Sequence, residues 1–343
     1  MKIQLTHSFE EIISLENLLE AWKEFEKGKK NKKDVQEFSI NLMDHIFTLH
    51  NELSNHTYKH GNYQAFKVND PKPRDIHKAN VRDRLLHHAI YRKLYPFFDR
   101  TFIADSYSCR INKGTHRALK QFKEYSYKVS KNNTKTCWTL QCDIKKFFAN
   151  IDHEILVNIL SEYIPDKDIL KLLKENIDSF HTKKKKGLPL GNLTSQLFVN
   201  IYMNKFDQFV KHKLKAKYYI RYADDFVFLS KDKNLLEKYI TQIGTFLEKE
   251  LKLELHPQKV SINTIVSGID FLGYITFPQH KLLRTKTKRR MFKKLSEKHA
   301  NLQRGKIQKE KFEQSMQAYL GMAGHCDGWK IEVELQNRYS KLF

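Results

Sequence analysis

The chain has 343 residues, enough for two or three domains, and 40% hydrophobic content, enough for a real core. Lysine and arginine outnumber aspartate and glutamate 62 to 39, a formal net charge of +23, which points to a polyanionic partner, nucleic acid by default and a membrane surface as the alternative. No apolar run approaches the roughly 20 residues of a spanning helix, the start MKIQLTHSFEEII lacks an apolar signal core, and four cysteines without a CxxC pair argue against zinc and for reduced thiols in a cytoplasmic protein.

In chain order, residues 9–27 carry Ile12, Ile13, Leu15, Leu18, Leu19, Trp22 and Phe25 at helical spacing, and 34–54 repeat the pattern from Phe38 to Leu53. The lysine-rich stretch from Lys27 to Lys33 joins them. Two short strands are expected at 63–68 and 74–78 around the turn Asn69-Asp70-Pro71-Lys72-Pro73. This basic hairpin sets Lys67 near Arg74, and Arg matches phosphate oxygens through its planar fork. A helix follows over 81–95. The basic loop from Ser106 then leads into another helix, with Thr115 as the expected N-cap.

Trp138, Leu140 and Cys142 alternate with Thr139, Gln141 and Asp143, a strand that ends on an acid. Residues 154–180 are expected to be helical with a break near Pro165. Lys183 to Lys186 precede a glycine-bearing loop, Gly187-Leu188-Pro189-Leu190-Gly191, whose backbone can approach a ligand closely. The helix beyond it buries Leu197, Phe198, Ile201, Tyr202 and Phe206 beneath the sheet that carries the acids. Tyr218 to Leu229 is rich in strand formers and broken only by Ala223-Asp224-Asp225, so a tight hairpin with two adjacent carboxylates at its tip is expected. A solvated Asp-Asp turn is the bland reading. A third acid at another strand end favours the sharper one, since three carboxylates around two metal ions suffice for in-line phosphoryl transfer. A helix over 233–251 with Asp232 as N-cap, a strand and turn over 253–259, a hairpin over 268–274 and a basic helical end from Lys286 complete the pass.

Asp143, the Leu188-Pro189-Leu190-Gly191 loop and Tyr222-Ala223-Asp224-Asp225, in that order, resemble a reverse transcriptase over about residues 63–275. The resemblance implies an α+β right-hand polymerase with an N-terminal helical extension (1–60), fingers and palm with an antiparallel sheet (61–285) and a helical basic thumb (286–343). It implies RNA-directed DNA synthesis with two Mg²⁺ ions held by Asp143, Asp224, Asp225 and the carbonyl of Ile144. Lys67, Arg74 and Arg110 match residues that hold the incoming nucleotide, Phe148 the bulky residue that excludes a ribose 2′-hydroxyl, and Leu190 and Gln196 positions of the nucleotide loop. Lys259 lies where a lysine protonates the departing pyrophosphate, and Phe271, Leu272 and Gly273 match the hairpin under the primer end.

The form Gly-Asn-Leu-Thr-Ser-Gln over 191–196, with Leu190 where many reverse transcriptases carry Gln, resembles the enzymes of diversity-generating retroelements. That implies error-prone copying (mutagenic retrohoming), dNTPs as substrates, a template RNA and its cDNA as partners, a small basic accessory protein, and a cytoplasmic setting in a bacterial, archaeal or phage-encoded system. A group II intron-like or phage-defence reverse transcriptase is the nearest alternative. A non-catalytic RNA-binding scaffold is the alternative of another class, and the acid triad argues against it.

Overall fold

The computed structural model describes residues 3–69 and 72–339, so Asp70 and Pro71 of the expected turn lie outside the described residues. Four helices come first: α1 (Phe9–Ile13), α2 (Leu15–Glu26), α3 (Lys33–Ile40) and α4 (Leu42–Ser54). The two long amphipathic stretches are thus each broken once. At the first break Ser14 accepts a hydrogen bond from the Asn17 N–H and starts α2 as its N-cap. The second break falls at Asn41, which leaves helical geometry between α3 and α4.

The ribbon β1 (Gln64–Val68) and β2 (Arg74–Lys78) leads to α5 (Val81–Asp99) and α6 (Thr115–Val129). Thr115 is the first helical residue and not the N-cap; Gly114 holds that place, and the Thr115 hydroxyl instead reaches the Tyr222 hydroxyl at 3.3 Å. Next come β3 (Trp138–Asp143), the single turn α7 (Phe147–Asn150), α8 (His153–Ser161) and α9 (Lys167–Asp178). α10 (Leu193–Gln208) runs into a π-helical turn over Phe209–Lys213, followed by β4 (Tyr219–Tyr222), β5 (Asp225–Ser230) and α11 (Lys233–Leu251). Asp232 caps α11 through the Asn234 and Leu235 N–H groups. The chain ends in β6 (Ser261–Thr264), β7 (Ile269–Phe271), β8 (Tyr274–Thr276), β9 (Lys281–Leu283), α12 (Thr285–Gln303), α13 (Lys309–Ala323) and α14 (Trp329–Tyr339).

The central sheet is antiparallel in the order β4-β5-β3-β6. Side chains alternate between its faces. Leu140, Cys142, Tyr219, Phe226 and Phe228 face one core, shared with α5, α8, α10, α11 and the N-terminal helices. Ile220, Val227 and Leu229 face the other, built with α6, the β7–β9 sheet and α12–α14. The N-terminal helices pack into the same cluster as this face of the sheet. By parity with Val227, Asp143 and Asp225 stand on the second face, the side of the terminal helices.

α10 packs beneath the sheet as its apolar face required. Phe206 is fully buried, with its ring centroid 5.0 Å from Phe226 and 6.0 Å from Phe246. Phe206→Ala is expected to cost about 3–5 kcal/mol of stability. Urea unfolding measures this, and a cost below about 1 kcal/mol would contradict the packing described.

Candidate active site

β3 ends on Asp143 and β5 begins on Asp225, and the register sets the two residues opposite each other. The Asp143 carbonyl accepts from the His256 N–H at 2.8 Å, on the side away from β5. The Asp143–Asp225 pair is therefore of the non-hydrogen-bonded kind, in which Cα atoms approach to about 4.5 Å and side chains lie closest. Lys145 N–H donates to the Glu254 carbonyl in the same outward direction, so the intervening Ile144 peptide groups face the hairpin. β4 and β5 are joined by the two-residue loop Ala223-Asp224. Ala223 has φ +55°, a positive value at the first loop position that a II′ hairpin demands and that usually selects glycine. The tight loop leaves Asp224 at the tip beside Asp225.

Crowding these acids has an electrostatic consequence. Burial, then the charges of Asp224 and Asp143, push the Asp225 carboxyl up to about 7. Burial and Asp143 likewise raise Asp224, while Lys259 and Arg74 oppose the rise. The Lys259 ammonium donates to Asp143 Oδ2 at 2.7 Å. Half-buried carboxylates held against their mutual repulsion favour an added cation. Among the described residues no three His, Cys, Asp or Glu side chains close a ready-made metal cage. The donor set still fits Mg²⁺, a hard ion that takes one or two carboxylates and completes its shell with water and substrate phosphates.

What holds the hairpin lies directly behind it. The Arg221 guanidinium is fully buried and donates Nε to Asp207 Oδ1 at 2.8 Å and Nη2 to Asp207 Oδ2 at 2.7 Å. Its Nη1 donates to the Ala223 carbonyl at 3.2 Å and to Asn200 Oδ1, and its Nη2 to the Ser106 hydroxyl. Tyr219 adds a hydroxyl to Asp207 Oδ1 at 2.8 Å. The strained loop is thereby pinned to α10 and to the segment around Ser106, which makes an isolated bridge with Arg221. Sequence reasoning missed Arg221 and Asp207, although an arginine inside an apolar strand and an aspartate inside an apolar helix were visible signals.

The other sequence-derived residues divide. Arg74 is close enough to Asp224 to lower its pKa. Lys67 pairs across the ribbon with Asp75, and Arg74 with Val68, so the two cations leave opposite faces of the ribbon instead of sharing one. Arg110 does not fit a nucleotide role: Nε bonds Asp99 Oδ1 at 2.6 Å, Nη1 the Ile103 and Ser106 carbonyls, and Nη2 the Asp99 carbonyl. The loop after the lysines forms an extra edge on the ribbon, with the Leu190 carbonyl accepting from the His77 N–H at 3.1 Å and Asn192 Nδ2 donating back to the His77 carbonyl at 2.9 Å. Gly191, at φ +105°, lies so close to Ile76 that a Cβ would meet its Cγ2 at 2.9 Å. The Phe148 carbonyl accepts from the Leu188 N–H, placing Phe148 beside this loop, and Gln196 sits half-buried in the first turn of α10. Phe271, Leu272 and Gly273 form the β7–β8 turn, tied to the palm by Gln141 Nε2 donating to the Asp270 carbonyl at 2.9 Å.

Residues 66–276 match the family described as reverse transcriptase (RNA-dependent DNA polymerase). The chain is 26% identical over 273 residues to protein YkfC of Escherichia coli, spanning 66% of this chain and 70% of that protein. It is 24% identical over 277 residues to the group II intron-encoded protein LtrA of Lactococcus lactis subsp. cremoris, spanning 61% of this chain but 45% of LtrA. The telomerase of Candida albicans, solved with a TWJ fragment of telomeric RNA, shares the fold at a TM-score of 0.50 and 12% identity, over 67% of this chain and 48% of that chain.

Arg221→Met is expected to cost about 3–5 kcal/mol by stranding the buried Asp207 charge, and adding Asp207→Leu to recover most of it. Urea unfolding of the single and double variants checks this; a single variant as stable as the parent would contradict the pair's role.

Proposed function

Because the chain belongs to the reverse transcriptase (RNA-dependent DNA polymerase) family, we propose that the carboxylates of Asp143, Asp224 and Asp225 are its polymerase centre, copying a template RNA into cDNA from dNTPs. The observation that carries this reading is the convergence of two strand ends on one cluster of carboxylates, with Asp225 raised by its neighbours and Lys259 bonded to Asp143. The primer 3′-hydroxyl gives its proton to solvent water as its oxygen bonds the α-phosphorus; the bond from that phosphorus to the oxygen bridging to the β-phosphate breaks and pyrophosphate leaves. The family uses divalent metal ions. Two Mg²⁺, held by the three aspartates and the Ile144 carbonyl, would supply an acidified hydroxyl and charge neutralisation at phosphorus.

The chain's own side chains do the rest. Lys259, an ammonium beside Asp143, is the proton donor to pyrophosphate. Arg74, and Lys67 from the other face of the ribbon, contact the triphosphate. Phe148 stands against a ribose 2′-hydroxyl. The turn Phe271-Leu272-Gly273 supports the primer end.

The finer reading is an error-prone enzyme of a diversity-generating retroelement, working in the cytoplasm with a small basic accessory protein. Leu190 supports it: the side chain that borders the nucleotide cannot hydrogen-bond, so discrimination loosens. Its neighbour Gln196 completes the Gly-Asn-Leu-Thr-Ser-Gln run. The similarity to LtrA favours a second reading, a group II intron-like reverse transcriptase with faithful copying. No helix among the described residues is long and apolar enough to cross a membrane.

Primer extension on a defined RNA template with product sequencing separates these readings. Asp224→Asn with Asp225→Asn is expected to abolish extension, a loss on the order of a thousandfold or more, while RNA affinity stays intact. A scaffold would be indifferent to those changes. Errors concentrated at template adenines, falling about tenfold in Leu190→Gln, are expected of the retroelement reading. Accurate copying by the parent would move the assignment to the intron-like reading.

A further inference from the structure

The β1–β2 ribbon and the loop before α10 lie far apart in sequence, yet one residue joins them twice. His77 turns both backbone groups to the outer edge of the ribbon: its N–H donates to the Leu190 carbonyl at 3.1 Å, and its carbonyl accepts from Asn192 Nδ2 at 2.9 Å. In a parallel strand pair the second bond would come from the backbone N–H of residue 192. Here the side-chain amide supplies it, so residues 190–192 act as a third strand of the ribbon. Ile76 occupies the space over Gly191, and the Phe180 ring centre lies 4.6 Å from that of His77.

An asparagine just before a helix is ordinarily an N-cap, its side-chain oxygen accepting from the first free N–H groups. Asn192 precedes α10 in extended conformation, but its side chain makes no bond to the helix. It is 2% exposed, its Nδ2 is committed to His77 and its Oδ1 has no partner. A buried acceptor left unpaired costs stability. The side chain thus serves the ribbon at the expense of its own helix.

Both sides of this clasp carry residues proposed to meet the nucleotide. Leu190 gives its carbonyl to His77, so its place is tied to the ribbon. Arg74 lies three residues back along β2, about 10 Å at the rise of a strand, and is near enough to Asp224 to lower its pKa. We propose that Asn192 is a positioning residue for the incoming nucleotide: by locking the ribbon to the loop it fixes the width of the slot between Leu190 and Arg74, and with it the KM for dNTP. The identity of the substrate rests on the polymerase reading; the clasp itself does not.

Asn, Asp and Ser are comparable N-caps, so Asn192→Ser and Asn192→Asp preserve the start of α10 and remove only the donor to His77. The test is steady-state single-nucleotide incorporation by the full chain on an RNA-templated DNA primer, with amide hydrogen exchange at residues 74–78 followed in the same proteins. Both variants are expected to raise the KM for dNTP about tenfold, with kcat changed less than about twofold and duplex affinity unchanged, the pattern of lost ground-state binding. Both are also expected to speed exchange of the His77 amide about tenfold, as a local opening becomes easier. Parent-like KM in both variants, as an N-cap role would give, overturns the proposal, and so does a loss of kcat and duplex affinity alongside KM. Should the parent incorporate no nucleotide, the polymerase reading fails, while faster exchange in both variants upholds the clasp and unchanged exchange overturns it.

Discussion

The buried pair of Arg221 and Asp207 is the constraint on which the candidate site depends. Neither side chain is exposed. A buried ion pair contributes little net stability, because desolvating both charges offsets most of their attraction. Its effect is positional. One guanidinium bonds the helix beneath the sheet through Asp207 and Asn200, the segment beside β4 through Ser106, and the strained loop through the Ala223 carbonyl. Three parts of the chain are fixed relative to one planar group, and the two adjacent carboxylates ride on the loop it holds.

Positioning the acids this firmly stores repulsion that solvent would otherwise screen. Asp143 and Asp225 meet across a non-hydrogen-bonded pair, and Asp224 cannot swing away from a two-residue loop. Lys259 answers part of the charge through Asp143, and Arg74 part of it near Asp224. The remainder is a standing demand for cations, which is the property an RNA-directed DNA polymerase needs where phosphates react.

Local chemistry made much of this legible in the sequence. The interruption at Ala223-Asp224-Asp225 marked the hairpin, the alternation from Trp138 to Cys142 marked the strand ending on Asp143, and Asp232 marked the start of α11. The α+β right-hand fold followed from the ordered motifs. What stayed hidden depends on geometry that residue type does not encode. The apolar period runs straight through Ser14, which caps a new helix without changing the pattern. Lys67 and Arg74 were expected together, yet ribbon register, a one-residue matter, sends them to opposite faces. Arg110 has the right charge, but nearby carbonyls and Asp99 use every nitrogen it has. β6 carries a single apolar residue, Ile262, and β9 is three residues long, too little for a sequence pattern to stand out.

The central claim is that the three carboxylates form a divalent-cation site on which nucleotide addition depends. Single-nucleotide incorporation on an RNA-templated DNA primer, followed against Mg²⁺ concentration for the parent and for Asp143→Asn, tests it most directly. The expected result is no incorporation in EDTA, recovery with added Mg²⁺ in the parent, and loss of that recovery in the variant while the duplex still binds. Incorporation without a divalent ion, or an Asp143→Asn variant with the parent's Mg²⁺ dependence, would contradict the account.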